Sequence, residues 1–198
     1  GALLYIYTPA MKLIIGIGNP DPKYLETRHN VGWQFLDWLN KKYKGAKFED
    51  NKKVLASVAK IDIEGHKSWL LKPSTFVNKS GDAVRKAKPW AKAKNEDIIV
   101  VQDDLDIPFG MCKLSFEKNS GGHRGVQSVI DALKTNKFFR IRIGTGVRAL
   151  DKARDESDKK RDEFVKNFVL KKFTPAQHDE LKGIFKDCEV RLLQALKR

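Results

Sequence analysis

The sequence has few of the residues that staple small domains or bind structural metals. Only two cysteines, Cys112 and Cys188, occur among 198 residues, and they lie far apart with no C-x-x-C spacing. This pattern argues against a disulfide framework or a zinc ribbon, and it favours a reducing compartment. A chain of this length buries about 70% of its unfolded surface without such staples. We therefore expect a single domain.

Long apolar runs are absent as well. No stretch approaches the roughly 20 apolar residues that a membrane span requires. The opening residues GALLYIYTPA are too short and uncharged for a secretory signal. We therefore expect a cytoplasmic protein with no membrane partner. Because Met11 is followed by a strand pattern, residues 1–10 are interpreted as an expression leader and residues 11–198 as the domain.

Positive charge, by contrast, is abundant. The chain has 39 Lys and Arg residues against 25 Asp and Glu residues, a formal net charge of +14. This excess favours a polyanionic partner such as RNA, because each phosphate that a protein neutralises releases counterions. A surface that is merely soluble can have the same composition. Charge alone therefore leaves both interpretations open.

Apolar patterns alternate between strand and helix along the chain. Helices are predicted from Asn30, over 81–94, from Val126 and from Pro175, where Thr174 and Gln177 form a capping box. The segment 151–163 is charged at nearly every position, which is typical of a solvated or mobile loop. Strands are predicted at 12–17, 54–60, 68–72, 97–102, 111–116 and 138–143. The alternation predicts an α/β fold, a single-domain, mixed twisted β-sheet covered by helices on both faces.

Polar loops follow the predicted strands and indicate where a ligand binds. In such folds ligands bind beyond the carboxyl ends of strands, so we expect these loops to converge. Gly16-Ile17-Gly18 lacks the third glycine of a dinucleotide fingerprint, and neither a P-loop nor a nucleophile elbow is found. The loops contain Asn19 and His29, Asn78, the aspartates 103, 104 and 106, and the Gly-rich segment 121–125.

His29 and Asp103 are candidates for acid–base chemistry. Thr27 is a plausible helix cap, which places His29 near a helix start that keeps the ring neutral, and a nearby Asp103 would orient it as a general base. Asn19 and Asn78 can donate amide hydrogen bonds to a carbonyl and accept one from water. A core histidine, turn asparagines, and a magnesium site at Asp103, Asp104 and Asp106 remain alternatives. His66 and His178 are interpreted as surface residues.

Several long motifs, taken together and in order, closely resemble the bacterial-type peptidyl-tRNA hydrolases over residues 11–195. The motifs are Gly16-Ile17-Gly18-Asn19-Pro20, Tyr24 with Thr27-Arg28-His29-Asn30-Val31-Gly32, Lys72 to Gly81, Asp103 to Gly110, Ser120-Gly121-Gly122-His123-Arg124-Gly125, and Arg142-Ile143-Gly144.

The resemblance implies a monomeric hydrolase that needs no metal, cofactor or obligate protein partner. It would cleave the ester between a peptide and the terminal ribose of tRNA. By position, His29 is implied as the general base and Asp103 as its orienting partner. Asn19 and Asn78 would hold the substrate, Tyr24 would lie near the terminal nucleotide, and Arg142 would bind a tRNA phosphate.

The sequence departs from the family pattern at three positions. Arg124 stands where the family usually has Asn, and a guanidinium donates hydrogen bonds but accepts none. Val77 replaces the usual Met in the substrate-binding loop. Ser115 stands where a phosphate-binding lysine is common, and Lys113 or Lys118 is the expected replacement. Arg124 keeps open a catalytically inactive RNA-binding homologue, and a third reading is a hydrolase of nucleotide-like substrates.

Overall fold

A computed structural model describes residues 10–198, and its centre is a mixed seven-stranded sheet. The strand order is β2-β3-β4-β1-β5-β7-β6. β1 pairs in parallel with β4 and β5, β5 pairs in parallel with β7, and the outer pairs are antiparallel. The strands are Lys12–Gly16 (β1), Glu49–Asn51 (β2), Ala56–Ile63 (β3), His66–Pro73 (β4), Ile98–Pro108 (β5), Cys112–Phe116 (β6) and Phe139–Gly146 (β7).

Helices cover both faces of this sheet, which confirms the predicted architecture. Successive residues of β1 point to opposite faces: Ile14 packs in one core, whereas Leu13 and Ile15 pack in the other. α1 and α6 close the first core, and α2 and α3 close the second. The helices are Val31–Lys42 (α1), Ser80–Trp90 (α2), Arg124–Leu133 (α3), Ala149–Ala153 (α4), Asp158–Val169 (α5) and Pro175–Leu196 (α6).

The predicted loop at 151–163 is wrong, because α4 and α5 occupy most of it. Lys, Arg and Glu are good helix formers, and opposite charges fall at helical spacing. Asp158 Oδ1 lies 2.6 Å from a guanidinium nitrogen of Arg161, and Glu156 lies 3.8 Å from Lys160. Ala153 within this segment is buried, as are Leu150 before it and Val169 at the end of α5.

Other boundaries also differ from prediction. β5 continues to Pro108, so the three aspartates lie within the strand and not in a loop beyond it, although its pairing with β7 is irregular after Asp104. Thr27 makes no side-chain cap, since its Oγ1 donates to the Tyr24 carbonyl. The capping box of Thr174 and Gln177 is confirmed at the start of α6.

The remaining general expectations concern cysteines, membranes and the chain start. Both Cys112 and Cys188 are free and buried. The hydrogen bond with Cys112, together with burial, raises the pKa of the Cys188 thiol. Among the described residues, none of the helices has the length and apolar character needed to cross a membrane. The predicted leader falls almost entirely outside the described residues.

Candidate active site

One cleft lies beyond the carboxyl ends of the central parallel strands, as predicted. It has a volume of about 1230 Å³, and α5 forms part of its wall. The polar loops singled out in the sequence converge here. The side chains that meet in the cleft include Asn19, His29, Asn78, Asp103, His123 and Arg124.

Gly32 explains how His29 reaches this edge. A Cβ at Gly32 would lie 2.5 Å from the carbonyl oxygen of Val101, so only glycine lets the start of α1 approach β5 this closely. His29 lies in a 3-10 turn three residues earlier, and Asp103 lies two residues beyond Val101. The imidazole Nδ1 and Asp103 Oδ2 are 2.8 Å apart, so the predicted pairing is present in the structure.

A second histidine, His123, binds the other oxygen of the same carboxylate. Its Nε2 lies 2.8 Å from Asp103 Oδ1. The rings of His29 and His123 flank the carboxylate with centroids 5.2 Å apart. Sequence reasoning gave His123 no role, although its place in the Gly-rich loop among four converging loops was the available signal.

The hydrogen bonds assign the tautomers of both rings. His123 is the N-cap of α3, and its Nδ1 accepts from the backbone N–H groups of Gly125 and Val126 at 3.1 and 3.2 Å. Its proton is therefore on Nε2, which donates to Asp103. Asp103 likewise accepts from Nδ1–H of His29. This leaves Nε2 of His29 as the basic nitrogen.

Burial and charge act in opposite directions on the His29–Asp103 pair. Burial lowers the pKa of His29, but the charge and hydrogen bond of Asp103 raise it, and the net pKa lies above the ordinary histidine value. Burial raises the pKa of Asp103, whereas its two histidine partners lower it, and the net pKa lies well below the usual range. The carboxylate thus outweighs burial, and the pKa of His29 is raised, whereas its place near a helix start predicted a ring kept neutral.

Hydrogen bonds fix the backbone and the side-chain oxygen of Asn19, but they do not use its side-chain Nδ2. Its backbone N–H donates to Asn30 Oδ1 and its carbonyl accepts from Asn30 Nδ2, both at 2.9 Å. Its Oδ1 accepts from the backbone N–H of Val77 at 3.0 Å. Asn19 can therefore donate a hydrogen bond from Nδ2 to a ligand. This geometry supports its predicted role as a donor to a carbonyl, but not the role as an acceptor from water, because Oδ1 is already bound.

The loop before α2 supplies the next part of the cleft wall. Val77 is buried and Asn78 is exposed, and both line the cleft. Phe76 was not singled out in the sequence, yet it also lines the cleft with 60% of its surface exposed. Arg124, the first residue of α3, is exposed and lines the cleft beside them.

Arg142 is engaged within the protein. Its Nε donates to Asp104 Oδ2 at 2.7 Å, and Nη1 donates to Ser115 Oγ at 3.2 Å. Lys113 is its neighbour across the β6–β7 pair. Lys113 and Lys118 are exposed, but of these two only Lys118 lines the cleft. Binding of a tRNA phosphate by Arg142, Lys113 or Lys118 stays a prediction.

A buried arginine in β7, Arg140, anchors the Gly-rich loop. Arg140 is 2% exposed and donates to Gln102 Oε1 and to the carbonyls of Lys118 and Asn119. Burial lowers its pKa to about 10. Because these carbonyls precede His123 in the same loop, Arg140 helps to place the second histidine.

Tyr24 lies apart from the other candidates. It ends a 3-10 turn, Pro22–Tyr24, and its ring lies 4.9 Å from Lys23 Nζ. It is not among the described residues that line the cleft. Its contact with a terminal nucleotide therefore remains a prediction.

The three aspartates do not form the alternative magnesium site. Asp103 binds two histidines, and Asp104 binds Arg142 and the backbone N–H of Asp106. Within residues 10–198, the group with metal-ligand spacing is His29, Asp103 and His123. In the tautomers assigned above, N–H groups point from both rings to the carboxylate, so these atoms satisfy one another.

Arg28 joins the His29 turn to the far end of α5. Its guanidinium lies 4.2 Å from the Phe168 ring centroid and donates to the carbonyls of Phe168 and Lys171. A further bond at 3.2 Å reaches Gln177 Oε1 in α6. The helix that forms one cleft wall is therefore tied to the residue before His29.

Comparison with known proteins assigns the family. A family model described as Peptidyl-tRNA hydrolase matches residues 13–198. The peptidyl-tRNA hydrolase of Neisseria meningitidis serogroup A is 43% identical over 136 residues, 69% of this chain and 70% of that protein. The peptidyl-tRNA hydrolase of Xanthomonas campestris pv. campestris (strain 8004) is 41% identical over 137 residues, again 69% and 70% of the two chains.

A solved structure gives the same result for the fold. The crystal structure of peptidyl-tRNA hydrolase from Acinetobacter baumannii has a TM-score of 0.79 and 28% sequence identity to this chain. The match covers 95% of this chain and 93% of that one. The chain therefore belongs to the peptidyl-tRNA hydrolase family, a family of hydrolases.

Proposed function

We propose that this chain hydrolyses the ester between a peptide and the terminal ribose of tRNA, using water activated by His29. The observation that carries the proposal is the 2.8 Å bond from His29 Nδ1 to the buried Asp103, at the floor of an open cleft. A neutral imidazole held in this way has its Nε2 available to accept a proton from water.

The reaction proceeds in two proton transfers. His29 Nε2 takes a proton from water as the water oxygen attacks the peptide carbonyl carbon, and Asp103 stabilises the imidazolium. The tetrahedral intermediate then breaks the bond to the ribose oxygen, which leaves with the proton returned by His29. The products are a peptide with a free carboxylic acid, which then loses its proton to solvent, and tRNA with a free ribose hydroxyl.

Amide and guanidinium donors are placed to stabilise the oxyanion. Asn19 offers Nδ2 because its other polar groups are already bound, and Asn78 and Arg124 line the same cleft. Donors held in place before the reaction stabilise developing charge without reorganisation. Arg124 can serve this purpose although it cannot accept a hydrogen bond from water.

The basic part of the cleft supports binding of the tRNA arm. Lysines and arginines outnumber carboxylates among its lining residues, and several lie on α5. Phosphate neutralisation by such residues gives affinity independent of nucleotide sequence. The proposal assigns every catalytic group to a single chain, so activity as a monomer stays our expectation.

The test is turnover of purified peptidyl-tRNA by a His29→Ala variant. Loss of at least about 100-fold in kcat with tRNA affinity retained is expected, since the general base is removed and the basic surface is not. His178→Ala, on an exposed turn of α6, is the matched control. Unchanged turnover in the His29 variant would eliminate the base, and a wild-type chain that binds tRNA without cleaving it would select the inactive homologue.

A further inference from the structure

A second groove lies between α2 and α3 and is joined to the catalytic cleft. Its volume is about 590 Å³, and Asn78 and Arg124 line both the groove and the cleft. The two helices approach closely at Gly81, where a Cβ would lie 2.1 Å from the Ser128 carbonyl oxygen. The groove therefore adjoins the catalytic cleft at Asn78 and Arg124.

Both basic and acidic side chains line the groove, and the basic ones outnumber the acidic ones. Arg85, Arg124 and Lys134 line it together with Asp82 and Asp131. Asp131 already accepts a hydrogen bond from Gln127 Nε2 at 2.9 Å. Within the part of the chain that the structure describes, none of the three cations has a carboxylate oxygen within 4.0 Å. Their charge is thus available to a ligand.

The chemistry of the proposed substrate indicates which of its two parts, the tRNA or the peptide, binds in this groove. When the ester carbonyl lies at the reaction centre, the rest of the substrate extends from it as two arms, the tRNA nucleotides on one side and the peptide on the other. The larger cleft has more lysines and arginines along its lining than the groove, so we assign the nucleotide arm to the cleft and the peptide arm to the groove. A peptide has only isolated charges, so a short acidic side chain can pair with Arg124 or Arg85 and avoid the carboxylates.

We propose that Arg124, together with Arg85, gives this chain a preference for peptides that have an acidic side chain close to the ester. The proposal rests on the proposed function, because it assigns the peptide arm of that substrate to this groove. Both arginines are exposed, so the pairing is partly screened and the preference is about fivefold in kcat/KM.

The experiment compares N-acetyl-Glu-Leu-tRNA with N-acetyl-Gln-Leu-tRNA, prepared on the same tRNA so that the two differ in one charge. We expect the wild-type chain to favour the Glu substrate about fivefold, and Arg124→Gln with Arg85→Gln to bring the ratio close to one. Arg124→Glu should invert the preference toward N-acetyl-Lys-Leu-tRNA. Lys86→Gln, exposed on α2 but outside the groove lining, should keep the wild-type ratio.

Each other outcome has a defined meaning. Equal rates for the Glu and Gln substrates would overturn the peptide preference and leave the proposed hydrolysis standing. The Arg124→Gln variant can lower both rates if Arg124 also stabilises the oxyanion, but a variant with Arg124→Gln and Arg85→Gln that keeps the wild-type ratio would overturn the peptide preference, because the arginines would then act only on parts that both substrates share. A wild-type chain that cleaves neither substrate would overturn the proposed function itself.

Discussion

His123 donates Nε2–H to Asp103 over 2.8 Å, on the carboxylate oxygen that His29 does not use. The carboxylate is 2% exposed, so both its oxygens must be satisfied by protein groups. His123 holds the acid in place, and the acid holds the base. This makes His123 a positioning residue in the proposed reaction.

The His123→Ala variant tests this role. It leaves Asp103 Oδ1 without its donor and removes the side-chain cap of α3, at a cost of about 1–3 kcal/mol in unfolding free energy. We expect kcat to fall about tenfold and KM to change little, since His29 is less well oriented. Urea unfolding and steady-state kinetics measure the two effects. A variant with lower stability but wild-type kcat would assign His123 to folding alone.

The Asp103→Asn variant tests the charge on the pair. His29 must be neutral to accept a proton, so activity rises with pH as the imidazolium deprotonates. Asp103 raises the pKa of His29, which places the acid limb of the wild-type profile above the ordinary value of 6.5. In the Asp103→Asn variant the acid limb of the pH–rate profile should move to lower pH, because the carboxylate no longer raises the pKa of His29. We expect kcat to fall about 100-fold as well. An unmoved limb in a pH–rate profile would contradict the assignment.

Arg28 offers a test of the link between α5 and the His29 turn. Truncation to Ala removes three hydrogen bonds and the contact with Phe168, which should lower the unfolding free energy by about 2–3 kcal/mol. Lys keeps the charge but lacks the planar fork, so Arg28→Lys should recover only part of the loss. Chemical denaturation of both variants gives the comparison, and full recovery by Lys would show that charge alone matters.

Salt dependence tests the tRNA contacts. We expect the affinity for tRNA to fall steeply with salt, and Lys118→Gln to reduce the log–log slope by about 1. Lys67→Gln is the matched control, because Lys67 is exposed on β4, on the other side of β1 from β6. Arg142→Gln should change the slope less than Lys118→Gln, since Asp104 already neutralises Arg142. A flat salt response would remove the phosphate contacts from the proposal.

Treatment with a chelator distinguishes a reaction in which His29 activates water from one in which magnesium bound to the aspartates does so. Because both oxygens of Asp103 accept N–H groups and Asp104 pairs with Arg142, we expect EDTA to leave turnover unchanged. The assay is peptidyl-tRNA hydrolysis before and after dialysis against chelator. Inhibition that magnesium restores would favour the aspartate cluster.

Local patterns predicted most of the secondary structure and the four polar segments of the site, although the segment 103–106 lies in β5 and not in a loop. Continuous apolar runs predicted the buried strands β1 and β5, and the Thr174 capping box predicted the start of α6. The 151–163 segment was misread because dense mixed charge is common to loops and solvated helices. Only tertiary packing distinguishes the two, through Ala153 in the segment and Leu150 and Val169 on either side of it.

The sequence by itself determined the residue types available for chemistry and their places near the ends of predicted strands, because local apolar periodicity indicates where strands and helices lie. The order of the strands in the sheet was decided by the tertiary structure. Tertiary structure alone decided which side chains pair. His123 acquired its partner through the fold of the Gly-rich loop, and Arg142 and Asp104 neutralised each other across two strands. Hydrogen bonds between residues distant in the chain depend on ångström-scale approach, such as that of Gly32 to Val101, and periodicity does not encode such distances.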